Sequence, residues 1–231
     1  MKKIVVFTGA GVSADSGLAT FRDSDGLWAN YRIEDVCTPE ALARDRHTVI
    51  EFYNKRRREM FAAEPNAGHL AIAQLQQYFE VDVVTQNVDN LHERAGSSRV
   101  MHLHGELTKL CSSRNKELAF EFGGIEQPDE LLAPDGSPAR PYIVFFGESV
   151  PMFDAAARLV AQTDRLIVAG TSLSVYPAAS LVRYARPEVP LYLVDPGQPD
   201  VRGLRNLAAH IDKPGAQGLP LLAQLLIEKY L

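Results

Sequence analysis

The sequence predicts an α/β fold, a doubly wound parallel sheet with helices on both faces. Short apolar, β-branched runs recur along the 231 residues, and segments with helical spacing separate them. The runs lack strict alternation of polar and apolar residues, which indicates strands that are buried on both faces and paired in parallel. Strands are predicted at 4–7, 81–85, 100–104, 142–146, 165–170 and 191–195, and helices at 47–63, 67–79, 151–163, 176–186 and 217–230.

Two regions do not fit this sheet, and we expect them to form the smaller part of a single domain, 1–231. Residues 25–79 are mostly of helical spacing, and residues 109–141 are rich in charge, glycine and proline. The larger part then comprises about 1–24, 80–108 and 142–231.

The composition argues against several classes of partner. A formal net charge of −5 gives no general electrostatic attraction to nucleic acid or anionic lipid, so we expect neither as a partner. No stretch is apolar over a length that spans a membrane. The two cysteines, Cys37 and Cys111, cannot supply a disulfide framework and suit a reducing compartment. We therefore expect a cytoplasmic protein that binds a small ligand or another protein.

A glycine-rich turn follows the first strand. In "FTGAGVSADSG" (7–17), Gly9 and Gly11 allow the backbone to approach a phosphate at the start of a helix. The spacing differs from the usual G-x-G-x-x-G, so a tight turn without a ligand stays an alternative. Asp195 ends the last strong strand, where a carboxylate accepts hydrogen bonds from ribose hydroxyls and favours NAD over NADP. Its alternative role is to start a turn before Pro196, but the two features together predict a nucleotide site.

The segment "HLHGELTKLC" (102–111) allows three kinds of site. A His-x-His pair on a strand can open a metal site, but tetrahedral zinc needs further ligands, and Cys111 has no C-x-x-C partner. A nucleophilic Cys111 needs a base and an orienting group, of which its neighbours give no sign. A general base needs one histidine at a strand end, and His104 directly precedes Gly105. We predict His104 as a base, His102 as a packed or hydrogen-bonded histidine, and Cys111 as a partly buried thiol.

Five motifs, in order along the chain, resemble those of one family. They are "GAGVSADSGLATFR" (9–22), "TQNVDNLH" (85–92), "HLHG" (102–105), "FGE" (146–148) and "GTSLSVYPAA" (170–179). The sequence resembles the sirtuins, NAD-dependent protein-lysine deacylases, from Ile4 to about Ala216. The resemblance implies a Rossmann-like large part and a small part made of a helical module and a zinc ribbon. It also implies that NAD is consumed as a co-substrate, that the partners are acyl-lysine proteins, and that nicotinamide and an O-acyl-ADP-ribose are products.

The resemblance also implies roles for individual residues. His104 is expected to be the base, and Asn87 is expected to be a second catalytic residue. "VFFGE" (144–148) is expected to pair with the substrate backbone as an added strand, using Val144, Phe146, Gly147 and Glu148. NAD is expected to contact Gly9, Ala10, Gly11, Ser13, Phe21, Arg22, Gln86, Asn87, Asp89, Gly170, Thr171, Ser172, Asp195 and Ala216.

The sequence departs from the family pattern at three places. Most sirtuins carry C-x-x-C twice between the catalytic histidine and "FGE", whereas this interval holds only Cys111. One thiolate cannot form a tetrahedral site, so we predict that no structural zinc is bound and that residues 109–141 fold without it. Asp195 stands where many relatives have asparagine, and the family pattern offers no account of Glu106.

One helix predicts the acyl preference. Val49, Tyr53, Arg56 and Met60 share a single helical face, on which the arginine is the exception. Arg56 either extends to the surface or, together with the Tyr53 hydroxyl, binds a carboxylate in the acyl pocket. Tyr-x-x-Arg at this place resembles the sirtuins that remove succinyl and malonyl groups. Three further cations on the helix are expected to form a solvated face: Lys55, Arg57 and Arg58.

Two other functions stay open at this point. One is an NAD-consuming ADP-ribosyltransferase or NAD hydrolase of the same fold, and the other is a non-catalytic NAD-binding regulator. Tyr53 and Arg56 favour the deacylase over the first alternative. His104 and Asn87 speak against the second.

Overall fold

The computed structural model describes residues 1–20, 31–197, 199 and 206–230, so the predicted contacts of Phe21 and Arg22 lie outside the described residues. The strands are β1 (Lys3–Thr8), β2 (Glu80–Thr85), β3 (Val100–His102), β4 (Gly105–Ser112), β5 (Ala119–Glu121), β6 (Ala139–Ile143), β7 (Arg165–Ala169), β8 (Leu191–Val194) and β9 (Leu207–Ile211). The helices are α1 (Gly11–Ala14), α2 (Ile33–Val36), α3 (Pro39–Arg44), α4 (Arg46–Ala62), α5 (Ala67–Leu75), α6 (Leu91–Arg94), α7 (Phe153–Gln162) and α8 (Gly215–Tyr230), and a 3₁₀ helix spans Ala178–Tyr184.

The main sheet confirms the predicted Rossmann-like α/β architecture. Within the described residues, six strands pair in parallel in the order β3-β2-β1-β7-β8-β9. The strand order reverses between β1 and β7, and Thr8 at the end of β1 is in register with Thr85 and Ala169. The loops that follow these three strands therefore leave the sheet side by side, at the place where such sheets bind ligands.

The sheet has an apolar core on each face. Ile4 and Val6 of β1 pack with residues of α5 and α8, whereas Val5 and Phe7 pack on the opposite face with α7 and the 3₁₀ helix. This arrangement follows from the period of two along a strand, and it explains why the strands read as continuous apolar runs. Nowhere in the described residues is a helix both apolar enough and long enough to cross a membrane.

A second, smaller sheet corrects the prediction of a strand at 142–146. Its strands pair antiparallel in the order β5-β4-β6, and β6 ends at Ile143, so residues 142–146 are not a strand of the parallel sheet. The chain leaves the parallel sheet at Gly105, where φ is +86° and an added Cβ would lie 2.0 Å from the Tyr142 carbonyl oxygen. Because β4 and β6 approach so closely at Gly105, the second half of the "HG" motif serves this change of sheet.

Several predicted boundaries are also wrong. The predicted helix 176–186 is a 3₁₀ helix, and α5 ends at Leu75 rather than at residue 79. Although α5 lies in the region assigned to the small part, it packs with α8 in the core of the main sheet. The division of the chain into a large and a small part stays a prediction.

The predicted solvated face of α4 is wrong at Arg57. Lys55 and Arg58 are exposed, but Arg57 is completely buried. Its guanidinium donates to the carbonyl oxygens of Leu107 at 2.8 Å and Ile125 at 3.0 Å. These acceptors and Asn54 Oδ1, at 2.8 Å from Nη1, replace water at Nε and Nη1, and Arg57 thereby connects α4 to β4 and to the segment after β5.

Candidate active site

The glycine turn after β1 packs directly on the turn after β7. The amides of Gly9 and Gly11 donate to the carbonyl oxygens of Ala169 at 3.0 Å and Gly170 at 2.9 Å. A Cβ at Gly9 would lie 2.7 Å from the Gly170 oxygen, and one at Gly170, where φ is +60°, would lie 2.3 Å from the Val12 nitrogen. The glycines are therefore required by this close approach, and Ala10, between Gly9 and Gly11 in the sequence, precedes α1.

A buried hydrogen-bond network lies beneath this turn and is centred on Ser13. The Ser13 hydroxyl donates to Asp89 Oδ2 at 3.1 Å and accepts from Asn87 Nδ2, also at 3.1 Å. His69 Nε2 lies 3.4 Å from the same hydroxyl oxygen, and all four side chains are buried. Burial raises the pKa of Asp89, although the hydrogen bonds from the Leu91 amide and Ser13 oppose the rise. The network thus fixes Asn87 and Asp89 relative to the glycine turn.

Gln86 connects the β2 end to the β7 end. Its Nε2 donates to Thr171 Oγ1 at 3.0 Å, and the same oxygen accepts from the Leu173 amide at 3.3 Å. The Ser172 hydroxyl lies 2.7 Å from that of Ser174. Residues predicted to bind NAD from three strands therefore meet at one edge of the sheet.

His104 lies just beyond the end of β3, with a defined tautomer. Its Nδ1 is 3.1 Å from the carbonyl oxygen of Gln86, which can only accept, so Nδ1 carries the proton. Nε2 then keeps its lone pair, as a proton acceptor requires. Burial lowers the pKa of His104, which keeps the imidazole neutral and basic near neutral pH.

The side chains of His102 and Cys111 are both enclosed by the protein, His102 by hydrogen bonds and Cys111 by burial. His102 has a side chain only 5% exposed, and both of its ring nitrogens are hydrogen-bonded, to the Asn87 carbonyl oxygen and to Glu93. Cys111 is a completely buried free thiol, whose pKa burial raises to about 11. Across the described residues, no three His, Cys, Asp or Glu side chains cluster in a way that could hold a metal ion.

Tyr53 and Arg56 lie on α4 as the helical face predicts. Tyr53 is buried, its hydroxyl oxygen lies 3.3 Å from Cys37 Sγ, and its ring stacks on Phe145 at 5.8 Å between centroids. Arg56 is half-buried and donates to the Ala19 carbonyl oxygen at 3.4 Å. Burial raises the pKa values of Tyr53 and Cys37, and the charge of Arg56 opposes both rises.

The charge of Arg56 also affects one residue that is predicted to bind NAD. This positive charge opposes the rise that burial causes in the pKa of Asp89, the carboxylate that accepts from Ser13. The guanidinium is therefore close enough to act on both Tyr53 and Asp89.

Residues 144–148 follow β6 and contact both His104 and Cys37. The Val144 amide donates to the His104 carbonyl oxygen, and the Phe146 amide donates to that of Cys37, both at 2.9 Å. Phe146 and Gly147 are exposed, with φ of +90° at Gly147. The segment therefore runs from the predicted base to the predicted acyl pocket.

Glu148 ends this segment and accepts from donors of three residues. Arg140 Nη1 lies 2.9 Å from Glu148 Oε1, and Lys116 Nζ lies 2.9 Å from Oε2. The amide of Phe145 donates to Oε2 at 2.8 Å, and the guanidinium of Arg140 lies 4.0 Å above the Phe145 ring. Burial alone would raise the pKa of Glu148, but these hydrogen bonds outweigh it and hold the pKa below its usual range.

The two remaining predicted NAD contacts lie at the same edge of the sheet, after β8 and at the start of α8. Asp195 directly follows β8, and its Oδ1 accepts from the Gly197 amide at 2.8 Å, which is the predicted turn role. Ala216 is half-buried in the first turn of α8, beside Gly215, where an added Cβ would be 3.1 Å from Val12 Cα. Ala216 is therefore adjacent to the helix that follows the glycine turn.

Sequence reasoning missed two buried histidines behind the site. His69 accepts from the Asn66 amide at 3.3 Å through Nδ1, so its Nε2 carries the proton that points to Ser13. His92 Nε2 lies 3.0 Å from Thr8 Oγ1, and the two histidine rings are 4.9 Å apart. The pattern Asn66-x-x-His69 at the start of α5 is a capping signal that could have indicated His69.

Comparison with known proteins supports one family. The Sir2 family model matches residues 9–177. An NAD-dependent protein deacylase of Bacteroides thetaiotaomicron is 49% identical over 235 residues, which cover 98% of this chain and 99% of that protein. A solved Sir2 homolog–NAD complex is 36% identical with a TM-score of 0.89, covering 99% of this chain and 90% of its own. A Sir2 structure with a deacetylated p53 peptide and 3′-O-acetyl ADP ribose is 29% identical with a TM-score of 0.79, covering 98% and 93%. These matches confirm the resemblance seen in the sequence, and the chain belongs to the Sir2 family.

Proposed function

We propose that this chain removes succinyl and malonyl groups, and also acetyl groups, from lysine side chains of proteins. It is an NAD-dependent protein deacylase of the Sir2 family, with NAD as the co-substrate. The finer statement, the preference for acyl groups that carry a carboxylate, rests on one observation. Arg56 follows Tyr53 by one turn on the same face of α4, is half-buried, and donates to the Ala19 carbonyl oxygen at 3.4 Å.

The residues at the strand ends fit a dinucleotide. Where β1 and β7 end, three glycines let two turns approach each other, as the 2.7 Å and 2.3 Å distances of added Cβ atoms indicate. Around them lie hydroxyl, amide and carboxylate groups that suit phosphate and ribose oxygens: Ser13, Gln86, Asn87, Asp89, Thr171, Ser172 and Asp195. Bound NAD supplies the ribose carbon from which nicotinamide leaves.

His104 is proposed to accept a proton at Nε2 from a ribose hydroxyl. The hydrogen bond from Nδ1 to Gln86 fixes both the tautomer and the ring, so the basic nitrogen is already oriented. The lowered pKa of His104 keeps this nitrogen unprotonated near neutral pH. Asn87 is proposed to orient the ribose, because its amide is held by Ser13 on the same edge of the sheet.

Residues 144–148 are proposed to bind the backbone of the substrate. Val144, Phe146, Gly147 and Glu148 join the loop of His104 to the region of Cys37 and Tyr53, so a peptide lying along them would bring its acyl-lysine between the two. Main-chain pairing of this kind has modest sequence preference and suits an enzyme that acts on many proteins.

The acyl proposal predicts a change in selectivity rather than a general loss. A charge-assisted hydrogen bond contributes roughly 1.5–3 kcal/mol, and each 1.4 kcal/mol is about tenfold. Arg56→Met is therefore expected to lower kcat/KM for succinyl-lysine by about ten- to a hundredfold. Acetyl-lysine carries no carboxylate, so its kcat/KM should change little.

The experiment compares succinyl, malonyl and acetyl versions of one peptide with wild type, Arg56→Met and Tyr53→Phe. Tyr53→Phe keeps the stacked ring and deletes one neutral donor, so it should shift the succinyl-to-acetyl ratio in the same direction by a smaller factor. Arg58→Met, on the exposed face of the same helix, is the matched control. An equal loss for both acyl groups in Arg56→Met would assign Arg56 to the fold and refute the carboxylate pocket.

We also propose that the protein acts in the cytoplasm. Both of its cysteines are free thiols in the structure, as is usual in a reducing compartment. Cell fractionation should find the protein in the cytoplasmic fraction, and its absence from that fraction would contradict the proposal.

A further inference from the structure

The two histidines of "HLHG" bind consecutive carbonyl groups of the loop after β2. His104 Nδ1 donates to the Gln86 oxygen at 3.1 Å, and His102 Nδ1 donates to the Asn87 oxygen at 2.8 Å. The Leu103 amide between them donates to the Thr85 oxygen at 2.8 Å. The loop is therefore fixed to the segment after β3 by three successive hydrogen bonds, two of which come from imidazole rings.

The second ring nitrogen distinguishes the two histidines. His102 Nε2 lies 2.8 Å from Glu93 Oε1, and an ionised carboxylate can only accept a hydrogen bond. Since the Asn87 carbonyl oxygen also only accepts, both nitrogens of His102 must carry protons. These contacts therefore fit an imidazolium at His102, whereas the single acceptor beside His104 fits a neutral ring.

We propose that His102 is a positioning residue for Asn87, held as an imidazolium by Glu93 and acting through its hydrogen bond to the Asn87 carbonyl. This inference rests on the proposed role of Asn87. Hydrogen bonds from a charged donor are stronger than neutral ones, so the protonated ring fixes the Asn87 backbone more firmly. The Asn87 side chain is held separately by Ser13, so the two contacts together fix its orientation.

The surroundings of His102 support this charge. Burial alone would lower its pKa, but the hydrogen bond and charge of Glu93 outweigh burial, and the pKa of His102 lies above its ordinary value. The neighbouring groups come from every element around the ring: Glu93 and His92 of α6, Asp89 of the loop after β2, Glu106 and Lys109 of β4, and Tyr142 of β6. Glu106 adds negative charge near His102 but is itself paired with Lys109 Nζ at 2.8 Å. This pairing gives Glu106 a structural account.

The first test measures the charge state without any activity. Nitrogen-15 NMR of the wild-type protein at pH 7 should show both ring nitrogens of His102 protonated, and one of the two protonated in His104. Glu93→Gln removes the charged acceptor and should leave His102 with one protonated nitrogen. Glu106→Gln is the control, because Glu106 makes no hydrogen bond to the ring, and should leave His102 doubly protonated. A singly protonated His102 in the wild type overturns the inference.

The second test asks whether His102 acts through Asn87. His102→Leu is expected to lower kcat/KM for NAD by about ten- to a hundredfold, the cost of a small displacement of a catalytic group. His102→Asn retains a neutral N–H near the position of Nδ1 and should recover part of this loss, because a neutral donor makes a weaker hydrogen bond than a charged one. In an Asn87→Ala background, His102→Leu should lower kcat/KM for NAD by less than about threefold, because the effects of residues that act as a unit are not additive.

The outcomes separate the inference from the proposed function. If His102→Leu costs the same factor with and without Asn87, only the inference is overturned. If Asn87→Ala keeps full activity, both the role of Asn87 and the inference fail. A drop in thermal stability of His102→Leu with unchanged kcat/KM would also overturn it, since that marks a structural role alone.

Discussion

The buried ion pair between Arg140 and Glu148 should hold the small sheet to residues 144–148. The side chains are 5% and 13% exposed, and Arg140 Nη2 also donates to the Ile143 carbonyl oxygen at 2.7 Å. Removal of one partner from a buried pair typically costs about 3–5 kcal/mol, because the other charge stays buried. In Arg140→Met, Glu148 keeps Lys116 and the Phe145 amide, so we expect the lower end, about 3 kcal/mol.

The measurement is thermal unfolding of Arg140→Met beside the matched variant Lys116→Met. A loss of about 3 kcal/mol lowers Tm by about 6–12 °C in a chain of this size. The Lys116 side chain is 31% exposed, and partly exposed pairs contribute about 0–1 kcal/mol, so Lys116→Met should lower Tm far less. Arg140→Met should also raise KM for the acyl peptide more than KM for NAD, because residues 144–148 loosen. Equal Tm values for the two variants would refute the reasoning.

Three further predictions follow from the site and its surroundings. His104→Ala should lower turnover by about 10²–10⁴-fold while calorimetry still detects NAD binding. In the wild type, the rate should fall with decreasing pH only below about pH 6.5, because burial lowers the pKa of His104. Burial lowers the pKa of His69 to about 4, so the unfolded state binds a proton more readily than the folded state between about pH 6.5 and 4. The contribution of His69 to the free energy of unfolding should therefore fall by about 3 kcal/mol over this range, and urea unfolding of His69→Gln should lack this contribution. Elemental analysis should find no stoichiometric zinc, because Cys111 is a lone, fully buried thiol in its interval; one bound zinc per chain, or unfolding by a chelator, would contradict this.

The sequence predicts most of the parallel sheet, because β1, β7 and β8 are mostly apolar runs buried on both faces. In β2, the buried Val81, Val83 and Val84 give the same signal although Glu80 and Asp82 are half-buried. The sequence predicts the strand at 142–146 wrongly for a related reason. An apolar run shows that a segment is buried, but not which sheet buries it, and β6 pairs antiparallel with β4 instead. The sequence does not predict β4, because its apolar residues are separated by polar and charged ones and the strand begins at a glycine.

Arg57 shows a limit of helical periodicity. A cation near Lys55 and Arg58 is most often solvated. The guanidinium of Arg57 instead donates to the carbonyl oxygens of Leu107 and Ile125, which are distant along the chain. Tyr53 and Arg56 could be singled out from the sequence because the helical face itself contains the anomaly, and their role in the acyl pocket stays a prediction. His69 and His92 were not singled out, because their partners Ser13 and Thr8 belong to other elements and meet them only in the folded chain.

The most direct test of the proposed function is a product analysis with wild-type protein. A succinyl-lysine peptide and NAD are incubated together, and peptide, nicotinamide and nucleotide products are quantified by mass spectrometry. We predict equimolar free-lysine peptide, nicotinamide and O-succinyl-ADP-ribose, with kcat/KM for the succinyl peptide about tenfold or more above that for the acetyl peptide. Nicotinamide released without any acyl peptide would indicate an NAD hydrolase. A preference for the acetyl peptide would contradict the proposal that Tyr53 and Arg56 form a carboxylate pocket.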